Sequence, residues 1–195
     1  LPIYGEHRLE VDRPIKSLYF TTEGATGFGT RLLAALKAYG AGVDDVKGHI
    51  KHCLDGVPLA IDTDVSRNIE GLQKLLEWMD LNEDWRPDIV VFDTYTDMMS
   101  GGASSDEYSN QRAADALRSL GVMAAERRCA CVLVHHTTKG GTEYSGPVQI
   151  KAKCDLMFHV SSDCTVTNTK AKDVAPPAPA GYEIVRSQDP RKIGR

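Results

Sequence analysis

Four short apolar runs, separated by longer amphipathic stretches, set the hydrophobic pattern of this chain. Each run is continuously apolar rather than alternating, which is typical of strands buried on both faces of a parallel sheet. The pattern therefore predicts four parallel strands. They lie at Ser17–Thr22, Pro58–Asp62, Asp88–Thr94 and Cys129–His136.

The stretches between these runs carry apolar residues at helical spacing. The clearest example has one apolar face made of Ile69, Leu72, Leu75, Leu76 and Met79. Strands that alternate with helices indicate right-handed crossovers and an open α/β sheet. The predicted helices cover Thr30–Tyr39, Val65–Asp80 and Ser105–Arg128.

The alternation of strands and helices ends after about residue 155, where three further runs follow one another too closely for helices to lie between them. They are Asp155–Ser161, Cys164–Lys170 and Tyr182–Ser187. We expect the sheet to finish there in an antiparallel extension, with Ala175–Gly181 as an exposed, proline-rich loop. No internal repeat or long linker is present, so residues 1–195 are predicted to form a single domain.

Composition adds the class of protein. The 195 residues are 42% hydrophobic and 26% charged, which is typical of one folded domain and excludes disorder, collagen and coiled coil. No apolar run approaches the roughly 20 residues that span a bilayer, and we expect a cytoplasmic protein without a membrane partner. A net charge of −4 argues against a uniformly basic surface for nucleic acid, but a ring can keep its basic residues on one inner surface.

The five cysteines contain no C-x-x-C pair, so neither a disulfide framework nor a common zinc site is indicated. Cys129 and Cys131 fall in an apolar run and are interpreted as small buried thiols of a reducing compartment. The cluster His49–Cys53 has no standard zinc spacing and is interpreted as a partly exposed polar segment.

Polar side chains follow three of the predicted strands, at the sheet edge where ligands of open α/β proteins bind. Asp93 ends a strand of the Walker B form, four apolar residues and a carboxylate, which suits Mg²⁺; the alternative is a turn cap. Glu23 has the position of a base that activates water, or of a solvated loop residue. His135 and His136 suit phosphate sensing, although one of them is equally explained as a core residue.

Taken in order, these segments resemble a known family. The series LYFTTEG, IVVFDT, LVHHTTK, KAKCDLMFHV and TNTKAKD is similar to the RecA-like ATPase core of RepA-type hexameric replicative helicases, relatives of the DnaB-type ring helicases. The likeness extends from about Tyr4 to Arg186. It implies a RecA-like fold, ATP and Mg²⁺ as cofactors, a hexameric ring of identical subunits and single-stranded DNA as substrate.

The resemblance also implies roles for individual residues. Glu23 would activate water, Asp93 would hold Mg²⁺ with Thr94 beside it in the nucleotide site, and His135 and His136 would sense the γ-phosphate. A second set would act outside the subunit's own site. Lys170 and Lys172 would reach the neighbouring subunit's ATP, and the loop Thr137–Lys153 would contact DNA through Lys139, Lys151 and Lys153.

The largest departure from this family is the absence of a G-x-x-x-x-G-K-[ST] phosphate loop from the 195 residues. Gly24–Arg31 has glycines at similar spacing but lacks the lysine. In the family the phosphate loop precedes the strand that ends in the catalytic glutamate, so we expect the chain to be a fragment that lacks it. The alternatives are a non-hydrolytic RecA-like scaffold and a repair ATPase that forms open filaments.

Overall fold

A computed structural model describes residues 3–4, 7–8, 13–21, 24–53, 65–96, 110–137, 148–173, 175–176 and 178–181. The chain forms two compact units. The first, called the sheet unit, comprises Ile15–Ala25 and Gly48–Lys153. The second, called the hairpin unit, comprises Leu1–Pro14, Thr26–Lys47 and Cys154–Arg195.

Short strands and helices alternate through the first part of the chain. The strands are β1 Ile3–Tyr4, β2 His7–Arg8, β3 Ser17–Thr21, β4 Ile50–Cys53, β5 Ile89–Asp93, β6 Ala130–Val134, β7 Leu156–Val160, β8 Thr165–Ala171 and β9 Ala180–Gly181. The helices are α1 Phe28–Ala38, α2 Val43–Val46, α3 Val65–Leu81, α4 Asn110–Arg127 and α5 Val148–Lys153. Among the described residues, no helix combines the length and apolar character needed to cross a membrane.

The sheet unit is built on four parallel strands in the order β4-β3-β5-β6. Their register aligns Phe20 with Cys53 on one side and with Phe92 on the other, and Phe92 with Leu133 beyond it. Helices flank this sheet, and a separate antiparallel sheet follows it in the chain. The predicted fold class, a mainly parallel α/β sheet with a C-terminal antiparallel part, is confirmed.

One face of the parallel sheet, called the covered face, holds the core. Alternate residues of the two central strands point to it, and Phe20 and Phe92 stack with ring centres 5.6 Å apart. α3 and α4 contribute their own apolar faces, and Arg127 of α4 joins Asp80 of α3 through two contacts of 2.7 and 2.9 Å. The buried core residues of this unit include Leu18, Phe20, Leu75, Met79, Val90, Phe92, Ala113, Ala116, Leu117, Leu120 and Met123.

The opposite face, called the open face, is less buried. On β6 the side chains of Val132 and Val134 are 42% and 38% exposed, whereas Cys131 on the covered face donates from Sγ to the Leu120 carbonyl at 3.9 Å. The expectation that each apolar run is buried on both faces is therefore wrong for β6. A continuously apolar sequence allows a strand to be buried on both faces. Whether each face is buried depends on the elements that pack against it.

The hairpin unit contains a three-stranded antiparallel sheet in the order β7-β8-β9. The sequence placed Ala175–Gly181 in a loop, but Ala180–Gly181 forms the short strand β9, because backbone pairing with Thr165 and Val166 does not depend on side chains. α1 ends at a glycine with positive φ: the amide of Ala41 bonds the Leu36 carbonyl at 2.8 Å around Gly40, whose φ is +67°.

The fourth strand of the parallel sheet is β4, whose sequence IKHC was interpreted as a polar segment. It is an edge strand, and one-sided pairing tolerates polar residues that a central strand would not. The runs at Pro58–Asp62 and Tyr182–Ser187 lie outside the described residues.

Removing the central aromatic ring should destabilise the sheet unit strongly. Phe92 is fully buried and stacked, so Phe92→Ala leaves a cavity and should lower the free energy of unfolding by about 3–5 kcal/mol. Leu81→Ala is the matched control, because Leu81 is 86% exposed and its loss should change stability by less than about 0.5 kcal/mol. Urea unfolding followed by circular dichroism measures both, and equal losses would contradict this assignment of the core.

Candidate active site

The order of the parallel strands creates a topological switch point between β3 and β5. From β3 the chain moves to β4 on one side, and it then crosses to β5 and β6 on the other. Open α/β sheets bind ligands at the carboxyl ends of the strands beside such a switch point. Thr21 and Asp93 are register partners at this point.

The Asp93 carboxylate is held by a tyrosine from the neighbouring strand. The hydroxyl of Tyr19 donates to Oδ2 of Asp93 at 2.9 Å. Tyr19 and Asp93 both point to the open face, since each lies one residue out of phase with the buried phenylalanines. Among the described residues, Tyr19 gives Asp93 its one recorded side-chain hydrogen bond, which leaves Oδ1 for another ligand.

His135 follows β6 and meets the residues that follow Asp93. Its ring packs edge-on against the buried Tyr95, with ring centres 5.1 Å apart and planes at 70°. Its Nδ1 lies 3.3 Å from Oγ1 of Thr96. These two contacts, from consecutive residues of one segment, fix the plane of the imidazole beside the Asp93 strand end. The buried Thr94 lies between Asp93 and this pair.

A carboxylate, a buried hydroxyl and an oriented imidazole thus share one sheet edge, beside the switch point. Comparison with known families adds an independent finding, because a family model described as an AAA domain matches residues 1–142. The chain belongs to this AAA domain family. No curated protein matches the sequence.

An AAA domain is an ATPase-type, nucleotide-binding domain, and the matched residues include the whole parallel sheet and its edge. Mg²⁺ usually accompanies a bound nucleoside triphosphate, and it prefers oxygen ligands. Asp93 fits this requirement, because its Oδ2 is anchored by Tyr19 while its Oδ1 has no partner among the described residues. The site is thus suited to a metal held directly or through water.

The other residues predicted for the site differ in their exposure, and some of them lie outside the described residues. His136 is exposed, in contrast to the half-buried His135, so the two neighbouring histidines have different surroundings. Glu23 and Lys139 lie outside the described residues. Lys151 and Lys153 were predicted on a flexible loop, but they are exposed residues of the short helix α5, in which Ile150 is buried.

Lys170 and Lys172 belong to the hairpin unit. Lys170 lies within β8 opposite Met157, and Lys172 follows the last residue of that strand. The backbone amide of Lys172 donates to the Asp155 carbonyl at 2.9 Å, and its Nζ lies 3.5 Å from Oδ1 of Asp155. Both partners of this ion pair are more than half exposed, so the pair is weak and easily exchanged for another anion.

Two cysteines near the start of β6 have shifted pKa values. They lie at the end of the strand opposite to the candidate site. The Cys131 thiol hydrogen-bonds the Cys129 sulfur, which lowers the pKa of Cys129 and raises that of Cys131, and burial raises the pKa of Cys131 further. Both cysteines are free thiols; both were predicted to be buried, which is confirmed for Cys129, whereas Cys131 is only half-buried. Their position in the sheet connects them with the core rather than with Asp93.

Sequence reasoning missed the residues that orient the site. Tyr19 was interpreted only as part of an apolar strand, and Thr96 was not singled out. The available signal for Tyr19 is its position two residues before the end of β3, on the side of the strand opposite to Leu18 and Phe20. A polar tip there meets the neighbouring strand end only if β3 and β5 are adjacent, and adjacency is not visible in the sequence.

The coupling between Tyr19 and Asp93 can be measured by a double-mutant cycle. We expect the effects of Tyr19→Phe and Asp93→Ala on the free energy of unfolding to be non-additive by about 1 kcal/mol. Each single variant already removes the part-buried hydrogen bond between the two side chains, so the double variant loses no further bond. Urea unfolding of the two single variants and the double variant gives this value. Additivity within about 0.3 kcal/mol would show that the contact contributes nothing.

Proposed function

We propose that this chain is the ATP-hydrolysing core of a ring-forming motor that acts on single-stranded DNA, similar to RepA-type replicative helicases. The observation that carries the proposal is the convergence of Asp93 and His135 on one edge of a parallel sheet, next to its switch point, within an AAA domain. Arrangement of a carboxylate and an imidazole at neighbouring strand ends suits phosphate chemistry better than it suits a structural role.

Each residue has a defined task in this proposal. Asp93 would hold Mg²⁺, directly or through water, while Tyr19 fixes its carboxylate. Mg²⁺, when bound, neutralises charge on the phosphates. Glu23 accepts the proton of the attacking water. The imidazole of His135, oriented by Thr96 and Tyr95, contacts the γ-phosphate together with His136, and Thr94 borders the nucleotide.

The assignment of DNA and of a ring draws on different residues. Lys151 and Lys153 are exposed cations on a helix anchored by Ile150, and with Lys139 they supply positive charge for the phosphates of a single strand. Lys170 and Lys172 supply the trans-acting cations, and the weak pairing of Lys172 with Asp155 suits a group that changes partner in the assembled ring. The oligomer proposed is a hexamer of identical subunits.

A second candidate function is a non-hydrolytic RecA-like scaffold. It is favoured by the absence of a G-x-x-x-x-G-K-[ST] loop from the 195 residues, since that loop supplies the amides and the lysine that hold the phosphates. A filament-forming repair ATPase shares the chemistry proposed above but assembles without closure. Electron microscopy of the protein with nucleotide and single-stranded DNA separates closed rings from open filaments.

Hydrolysis separates the motor from the scaffold. For the reason just given, we expect the 195-residue chain to hydrolyse ATP weakly or not at all, and a fusion that adds a strand, a G-x-x-x-x-G-K-[ST] loop and a helix to its N-terminus to hydrolyse it. In the latter, Glu23→Gln should preserve nucleotide binding and slow steady-state turnover by roughly a hundredfold or more, the scale of a lost general base. Glu126→Gln, at an exposed position on α4, is the matched control and should retain full turnover. Normal turnover by Glu23→Gln would remove Glu23 from the catalytic role, and lack of turnover by the fusion with Glu23 intact would favour the scaffold.

Mixing two inactive subunits tests whether Lys172 acts in trans. Subunits of the hydrolysing protein that carry Lys172→Ala are mixed with subunits that carry Glu23→Gln. Turnover is measured as the ratio of the two kinds of subunit is varied. A trans role predicts partial recovery, because some mixed interfaces join an intact Glu23 site to an intact Lys172 of the neighbour. Subunit exchange is verified by energy transfer between labelled subunits. Exchange without recovery of turnover would contradict the trans assignment.

A further inference from the structure

A cavity of about 420 Å³ lies between α3 and the β4 side of the parallel sheet. Its walls are mainly apolar and come from three elements, with Leu18 and Phe20 from β3, His52 and Cys53 from β4, and Leu75 and Trp78 from α3. Lys51 of β4 and Lys74 of α3 also line it, and the described lining residues include no acidic side chain. A volume of this size is within the range of pockets that hold small organic ligands.

Two indoles hold one of these cations in place. The Nζ of Lys51 lies 4.9 Å from the ring centre of Trp78 and 4.4 Å from that of Trp85. The indoles meet edge-on, with centres 6.1 Å apart, and Nε1 of Trp85 donates to the Gly48 carbonyl. Because cation–π contacts favour one position of the ammonium group, the cavity has a charge fixed beside apolar walls rather than a freely moving lysine tip.

We propose that this cavity binds a small organic anion, a carboxylate attached to an aromatic or hydrocarbon body. The body lies against Leu18, Phe20 and Trp78, where its transfer from water is favourable, and the carboxylate pairs with the ammonium of Lys51. The mainly apolar walls suit an aromatic or hydrocarbon body better than the polar edges of a nucleotide base.

The cavity is separate from the proposed nucleotide site. Leu18 and Phe20 point into it from the covered face, whereas Tyr19 between them points to the open face and bonds Asp93. Ligand binding there therefore does not depend on ATP hydrolysis, and its test can succeed or fail independently of the motor proposal.

The chain has exactly two tryptophans, Trp78 and Trp85, so its two indole N–H signals in a ¹H–¹⁵N NMR spectrum report on this cluster alone. The Trp85→Phe spectrum assigns them. The probe is 2-naphthoate, and its neutral match is 2-naphthalenemethanol. We expect naphthoate to shift the Trp78 signal in a saturable way and to bind about tenfold more tightly than the alcohol, the usual scale of one charge-assisted contact. Equal affinities would overturn the assignment to anions, and unshifted indole signals at millimolar naphthoate would overturn the site itself.

Substitution of the lysine gives the second test. Lys51→Met retains the aliphatic stem and removes the charge, so its affinity for naphthoate should fall about tenfold, to that of the alcohol. Lys37→Met, at an exposed lysine of α1, is the matched control and should leave the affinity unchanged. An unchanged affinity in Lys51→Met would contradict the pairing with Lys51. The comparison of the two probes on the unaltered protein holds even if this variant folds poorly.

Discussion

Parallel pairing of β3 with β5 is the constraint on which the rest of the sheet unit depends. These two central strands align Leu18 with Val90 and Phe20 with Phe92, which gives the covered face its stacked aromatic centre. The same register aligns Thr21 with Asp93 at the carboxyl ends. A slip of one residue would turn the apolar set to the other face and move Asp93 away from Tyr19, so hydrophobic burial on one face fixes the chemistry on the other.

β3 has two roles because its side chains alternate. Leu18 and Phe20 line the cavity beside α3 and belong to the core, whereas Tyr19 holds the Asp93 carboxylate on the open face. The strand can perform both roles only because the two faces of the sheet are covered differently. α3 and α4 bring apolar residues to one face, and the exposed Val132 and Val134 of β6 show how much less the other is covered.

The two sites differ in their electrostatic character. At the strand ends, the oxygen and imidazole groups proposed to serve a metal and phosphates are held by hydrogen bonds and a ring contact. In the cavity, the ammonium group of Lys51 is positioned by two indoles beside mainly apolar walls, which suits one localised negative charge on a hydrophobic body. The proposed motor function and the proposed anion site therefore use separate physical means of recognition.

The fold class could be predicted from the sequence, because continuous apolar runs and helical spacing are local patterns that remain in the folded sheet. The same patterns put Asp93 and His135 at strand ends, where polar residues interrupt an apolar run. Which strands are neighbours, in contrast, is a property of the tertiary structure. Two contacts join residues that are distant in the chain: the hydrogen bond between Tyr19 and Asp93, and the cation–π contacts of Lys51 with Trp78 and Trp85. The edge position of β4 likewise depends on pairing between distant segments. Such contacts depend on strand order and register, which a linear pattern of hydrophobicity does not encode.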